Sequence, residues 1–212
     1  MSNAKARWWE TCSDEPMDML SWVEEQRRVR LFIHACLASV PLIAADTRFA
    51  RILGGFLRAA DENHSTTDLW VGIASRASEF GWEYRGESTA VAELIDAAFG
   101  AAYASDIYGA TQFFLQAVWR NTGDDATRHC TIIREIFGNP FRPIAFSPEW
   151  RTDTAIALAR QMYESRDFSA MPILADALQD AGCDNESVLT HCRDTNQPHV
   201  RGCWVVDLVL GK

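Results

Sequence analysis

An all-α fold, built as an irregular multi-helix bundle, is what this sequence predicts, and three observations carry the prediction. Apolar residues recur at three- and four-residue intervals in one stretch after another, as in Val29, Phe32, Ile33, Cys36, Leu37 and Val40. Each stretch is bounded by residues that start or stop helices, with Ser, Thr, Asp or Asn ahead and Gly or Pro behind. The run CWVVDLVL at residues 203–210 is strand-like in composition but has no second run to pair with, so a closing helix is expected there.

Taken in order, Ser13 or Asp14 caps a short helix with Pro16 in its first turn and Met17, Leu20 and Trp22 or Val23 as its apolar stripe. Arg27 to Val40 is a second helix, ended or kinked by Pro41. Asp46 caps a third, carrying Phe49, Ile52, Leu53, Phe56 and Leu57. After a polar loop at 61–65, Thr66 or Thr67 starts a fourth through Leu69, Trp70, Ile73 and Ala77, and GWEYRG at 81–86 is a turn. Small residues fill 88–121, which reads as a central helix or a pair broken near Gly109. Asp124 or Asp125 caps the next helix, which runs to Phe137 with Gly138 at its C-terminal cap.

The stretch NPFRPIAFSPEW that follows holds Pro140, Pro143 and Pro148 and reads as an extended strap laid over the core by Phe141, Ile144, Phe146 and Trp150. It is the clearest internal boundary. The expected division is a helical bundle over residues 1–138 and a strap plus C-terminal helical module over 139–212, packed as one compact unit. Within the module, Thr152 or Asp153 caps one helix, Pro172 opens another that ends at Gly182, Asn185 caps a third, and Asn196-Gln197-Pro198 turns the chain toward residue 203.

Composition narrows the function. The 212 residues are 48% hydrophobic with eight Trp and eleven Phe, which excludes a disordered chain and suffices for one sizeable core. A formal charge of −9 disfavours nucleic acid as a partner. The longest apolar run, Leu31 to Ala45, is interrupted by His34, Ser39 and Pro41, and no membrane span is expected. The N-terminus has no apolar leader, so cytoplasmic residence with reduced cysteines is the expectation; Ser2-Asn3-Ala4 is set aside as a scar of expression.

Chemistry concentrates in the tail, where Cys183, Cys192 and Cys203 make half of the six cysteines and His191 and His199 are two of the five histidines. Thiolate and imidazole are the donors zinc prefers, so Cys183, His191, Cys192, His199 and Cys203 are the candidate metal ligands and zinc the candidate cofactor. The spacing has no short C-x(2–4)-C hook, and His191 and Cys192, being adjacent, point about 100 degrees apart on a helix. A nucleophilic Cys203 or Cys192 with His199 or His191 as base is a third reading, against which stands the bulky run Trp204, Val205 and Val206. The helix–turn–helix pattern over Ile173 to Cys192 offers Asn185, Glu186, Ser187 and Thr190, with Asp184 and Asp194 nearby, where DNA binders expose basic and amide side chains, and reads as a core hairpin. No local motif for nucleotides, metalloproteases, serine hydrolases or calcium is present, and no catalytic residue is assigned.

The segments GNPFRP, DAGC, HC and PHVRGCWVVDLVLGK, within a stretch from Ile133 to the terminus, resemble a large paralogous family of planctomycete-type bacterial proteins; a fainter similarity covers WWETCSDEPMDMLSWVEEQRRVRLFIHAC. The resemblance implies a shared C-terminal module, with the tail's Cys and His pattern included, and no particular activity. Members of the family look cysteine-rich after the LF of the second helix, where this chain has only Cys36 beside His34. The leading expectation is a non-enzymatic intracellular module that meets a protein partner; a zinc-stabilised module and a cysteine-dependent enzyme are the alternatives.

Overall fold

The computed structural model describes residues 2–23, 25–45, 47–61, 89–103, 107–123 and 126–212, and every regular element among them is a helix. None of these helices is long and apolar enough to cross a membrane. The expected helix after Thr66, the turn at 81–86 and the caps at Asp46, Asp124 and Asp125 lie outside the described residues.

By its contacts the chain divides into two compact units, Met1–Cys12 with Thr131–Lys212, and Ser13–Cys130. The second opens with helix Pro16–Leu20, which has Pro16 in its first turn as expected but follows Glu15, whose side chain makes no capping bond. Helix Gln26–Ala38 buries Val29, Leu31, Phe32, Ile33, Cys36 and Leu37. Pro41 does not merely end this helix: it opens another, Pro41–Ala44, because a first-turn proline has no N–H to leave unpaired. Helix Thr47–Asp61 packs on both. The small-residue stretch forms a pair, Thr89–Tyr103 and Ile107–Thr122, with the break ahead of Gly109. The two pack together, burying Val91, Leu94, Ile95 and Ala98 on one and Phe114, Leu115 and Val118 on the other.

The first unit begins with a helix the sequence pattern did not announce, Ser2–Thr11, which includes the residues set aside as a scar. Its anchors are tertiary. Trp9 is buried and meets Phe141 edge to face at 6.1 Å. Arg134 Nη1 donates to the carbonyls of Trp9 and Cys12 at 3.2 and 2.6 Å, satisfying acceptors that a helix end leaves open. Asn139 Nδ2 donates to Ala6 O and Glu10 Oε1, both at 3.1 Å. Arg134 and Asn139 stand on either side of the division drawn at 138/139, so that division falls inside this unit.

Helix Ala126–Phe137 ends at Gly138, which takes φ +63 as a left-handed cap. The strap then turns at residues 139–142, where Arg142 N donates to Asn139 O at 3.0 Å, and runs on to a 3-10 turn, Pro148–Trp150, where Ser147 Oγ accepts from the Glu149 amide. Ile144, Phe146 and Trp150 lie on a core made by Ala155, Ala159 and Met162 from helix Asp153–Ser165, Leu174 and Leu178 from Met171–Asp180, Val188 from Glu186–Arg193, and Val205, Val206 and Val209 from Trp204–Leu210. Thr152 and Asn185 cap their helices as expected, accepting from Ala155 N at 3.2 Å and Val188 N at 3.1 Å. The strap also holds the closing helix by its tail: Arg151 Nε and Nη2 both donate to Leu208 O, at 3.1 and 3.0 Å.

Candidate metal centre

Residues 203–210 are helical from Trp204, and this settles where the tail's polar groups go. Three segments of the first unit converge: the last turn of helix Ala126–Phe137, the last turn of Glu186–Arg193, and the turn that ends at Cys203. Gly202 at φ +98 lets that turn close, with Cys203 N donating to Val200 O at 2.9 Å.

Glu135, His191, His199 and Cys203 bring one donor atom each to within 4.8 Å of all the others. Oε1 of Glu135 lies 3.1 Å from His199 Nδ1 and also accepts from the Val200 amide at 3.3 Å. Oε2 is 3.2 Å from His191 Nε2. The same Nε2 is 3.3 Å from Cys203 Sγ, in hydrogen-bonding geometry. On the far side of the ring, Trp204 Nε1 donates to His191 Nδ1 at 3.3 Å. An indole N–H only donates, so Nδ1 holds a lone pair there and Nε2 carries the proton, directed at sulfur. Oε2 is fully buried and makes no well-aligned hydrogen bond, though the same Nε2 is 3.2 Å from it.

The cluster is shut away from water. The Glu135 side chain is 0% exposed, those of His191 and His199 13% and 8%, and Cys203 is fully buried. Burial alone would push the Glu135 carboxyl up, but the two facing imidazoles outweigh it and hold the carboxyl below its ordinary range. Burial, and then the Glu135 charge, push the Cys203 thiol well above the ordinary range. A cleft of about 340 Å³ bordered by Phe168, Ser169, Cys192, Gln197 and His199 reaches one edge of the group and gives solvent its approach.

Of the five ligands drawn from the sequence, the structure brings His191, His199 and Cys203 together. Cys192 and Cys183, both buried, contribute no donor atom to the group. They belong to the apolar core with Val188. Burial pushes Cys183 up and, with the Glu135 charge second, pushes Cys192 up to about 12. The residue that sequence reasoning missed is Glu135. Its one local signal is a carboxylate flanking the apolar face set by Ile132, Ile133 and Ile136, directly before a helix stop.

Two chemistries can be weighed here. A nucleophilic cysteine needs a thiolate and a base whose far nitrogen donates to an orienting acceptor. Here the thiol is pushed up, and a donor sits on Nδ1, where it would oppose an imidazolium. A metal needs converging lone pairs and balanced charge. Bonds of about 2.0–2.3 Å place the donors of a tetrahedral zinc site about 3.3–3.8 Å apart; here three contacts, through both Glu135 oxygens, are 3.1–3.3 Å and the four donor atoms all lie within 4.8 Å of one another. One carboxylate and one thiolate with two neutral imidazoles cancel a divalent charge, which a buried site requires. The His/Cys/Glu group therefore has the donor set to hold a metal ion. No family model, curated protein or solved structure matches the chain.

Proposed function

We propose that the first unit is a zinc-stabilised structural module, with Glu135, His191, His199 and Cys203 as the four ligands. The observation that carries this reading is the convergence of one donor atom each from Glu135, His191, His199 and Cys203 within 4.8 Å of one another, with the buried Oε2 of Glu135 3.2 Å from His191 Nε2 but in no well-aligned hydrogen bond. The His191 and His199 imidazoles already offset the burial of this carboxylate, and a cation would add a direct bond to Oε2. Mixed sulfur, nitrogen and oxygen donors suit zinc better than the hard cations, which take oxygen alone. Four protein ligands make a closed site, the form zinc takes when its role is to hold a fold.

In this reading the ion ties the end of helix Ala126–Phe137, and with it the strap, to the two ends of the C-terminal turn. The chain is a non-enzymatic module, and the surface it holds rigid serves a protein partner. The test is native mass spectrometry with elemental analysis of protein purified without chelator or affinity metal, alongside Glu135→Gln and Cys203→Ser. One zinc per chain that either substitution removes is the expected result. A folded wild-type protein without metal that takes up none when zinc is supplied would overturn the reading.

A further inference from the structure

We infer that Trp204 sets which nitrogen of His191 carries the proton, and thereby opposes metal entry; this rests on the zinc reading of the site above. The contact that matters is Trp204 Nε1 to His191 Nδ1, 3.3 Å, with the two rings 5.0 Å apart and inclined at 52°. Since the indole can only donate, the metal-free protein holds its His191 proton on Nε2, directed at Cys203 Sγ 3.3 Å away. Nε2 is also the nitrogen that faces Glu135. A metal must take that lone pair, so the Nε2 proton leaves to solvent and Nδ1 acquires one, with no net change on the ring. Two N–H groups then face each other across the Trp204 contact. A metal-bound histidine ordinarily turns its second N–H to an acceptor; here it meets a donor.

Binding therefore displaces the indole from Nδ1. The Trp204 ring is packed against Gly138, where a built Cβ would come within 3.2 Å of it, so the strain of that displacement falls on this contact. Trp204 is a positioning residue: it never touches the ion, yet it ties the state of the site to the start of the closing helix. At the His191 ring the metal-free and metal-bound forms differ by the tautomer and one indole hydrogen bond; binding also sends the Cys203 thiol proton to solvent and requires His199 Nδ1 to give up the proton it donates to Glu135 Oε1.

The test uses the full chain and two independent readouts. Long-range 1H–15N spectra of the metal-free wild-type protein should show the His191 proton on Nε2, and zinc addition should move it to Nδ1. Trp204→Phe, which keeps the ring and loses the donor, should bind zinc about five-fold tighter, the equivalent of about 1 kcal/mol for one hydrogen bond at 1.4 kcal/mol per decade. A proton on Nδ1 in the metal-free wild type, or an unchanged zinc affinity in a folded Trp204→Phe protein, would overturn the inference. Should Trp204→Phe not fold, the wild-type spectra decide alone. Should neither protein bind zinc, the zinc reading fails, and the metal-free tautomer still decides what Trp204 does.

Discussion

Replacing Glu135 by Gln is the perturbation that weighs the site most directly, because it keeps the size of the side chain and removes only charge and one oxygen. In chelator, the introduced amide still presents an oxygen to the Val200 amide and to His199 Nδ1, which Glu135 contacts at 3.3 and 3.1 Å. What is lost is the charge assistance on those two bonds, about 1 kcal/mol each. With zinc at a thousandfold its Kd the wild type gains about 4 kcal/mol by mass action. Losing one of four ligands lowers affinity by at least about 100-fold, so the mutant's gain falls by about 2.7 kcal/mol. At about 4–8 °C per kcal/mol for a domain of fewer than about 100 residues, zinc should raise the wild-type midpoint by about 15–30 °C and the mutant's by about 5–10 °C. Calorimetry of both proteins, each with zinc and with chelator, reads all four values. Equal wild-type midpoints in zinc and chelator, with cooperative melting in both, would refute the reasoning, because the whole zinc term would then be missing.

Three further outcomes follow from the same unit. Gly138→Ala places a methyl 3.2 Å from the Trp204 ring at a residue with φ +63, and should lower the urea stability by about 2 kcal/mol, the sum of left-handed strain and a displaced ring; a loss under about 0.5 kcal/mol would show that the ring gives way freely. Arg151→Ala removes both bonds to Leu208 O and should cost about 1–2 kcal/mol, with hydrogen exchange quickening first in helix Trp204–Leu210. Cys192, pushed up to about 12 in the fold against about 8.5 when unfolded, favours the folded state while it stays protonated. Its contribution is fully present below about pH 8.5 and is lost as pH rises toward 12, so the urea midpoint of chelated protein should fall between about pH 8 and 11, and iodoacetamide should leave the native thiol unmodified at about pH 8.

The helices of the tail were legible because their signals are local: Thr152 and Asn185 ahead of periodic apolar residues, Pro172 near a first turn, Gly182 and Gly138 where helices stop. The helix Ser2–Thr11 was not, since Ser2 and Asn3, the residues able to cap it, were set aside and its anchors come from Arg134 and Asn139, more than 120 residues away. The site divides the same way. His191, His199 and Cys203 stood out as a concentration of donors in one short stretch. Cys183 and Cys192 stood out equally, because donor type does not tell a core thiol from a ligand; helix face does, and His191 and Cys192 take different ones. Glu135 stayed hidden because a glutamate on a helix ordinarily faces water, and its partner His199 is 64 residues away.

What separates a metal-free cluster from a metal centre comes down to one oxygen. A metal-free account closes almost everywhere: Trp204 gives to His191, His191 gives to Cys203, and His199 and Val200 give to Oε1 of Glu135. Its weakest point is Oε2, which is buried and makes no well-aligned hydrogen bond although His191 Nε2 lies 3.2 Å away. The same core buries a second carboxylate, Asp207, completely between Val206 and Val209, so burial alone does not set Glu135 apart. At Oε2 a cation adds a bond and supplies the positive charge that a carboxylate and a thiolate jointly require. Glu135 differs from Asp207 in facing two imidazoles and a thiol, a donor set that could hold a metal ion. The Glu135→Gln melting series measures directly whether it holds one.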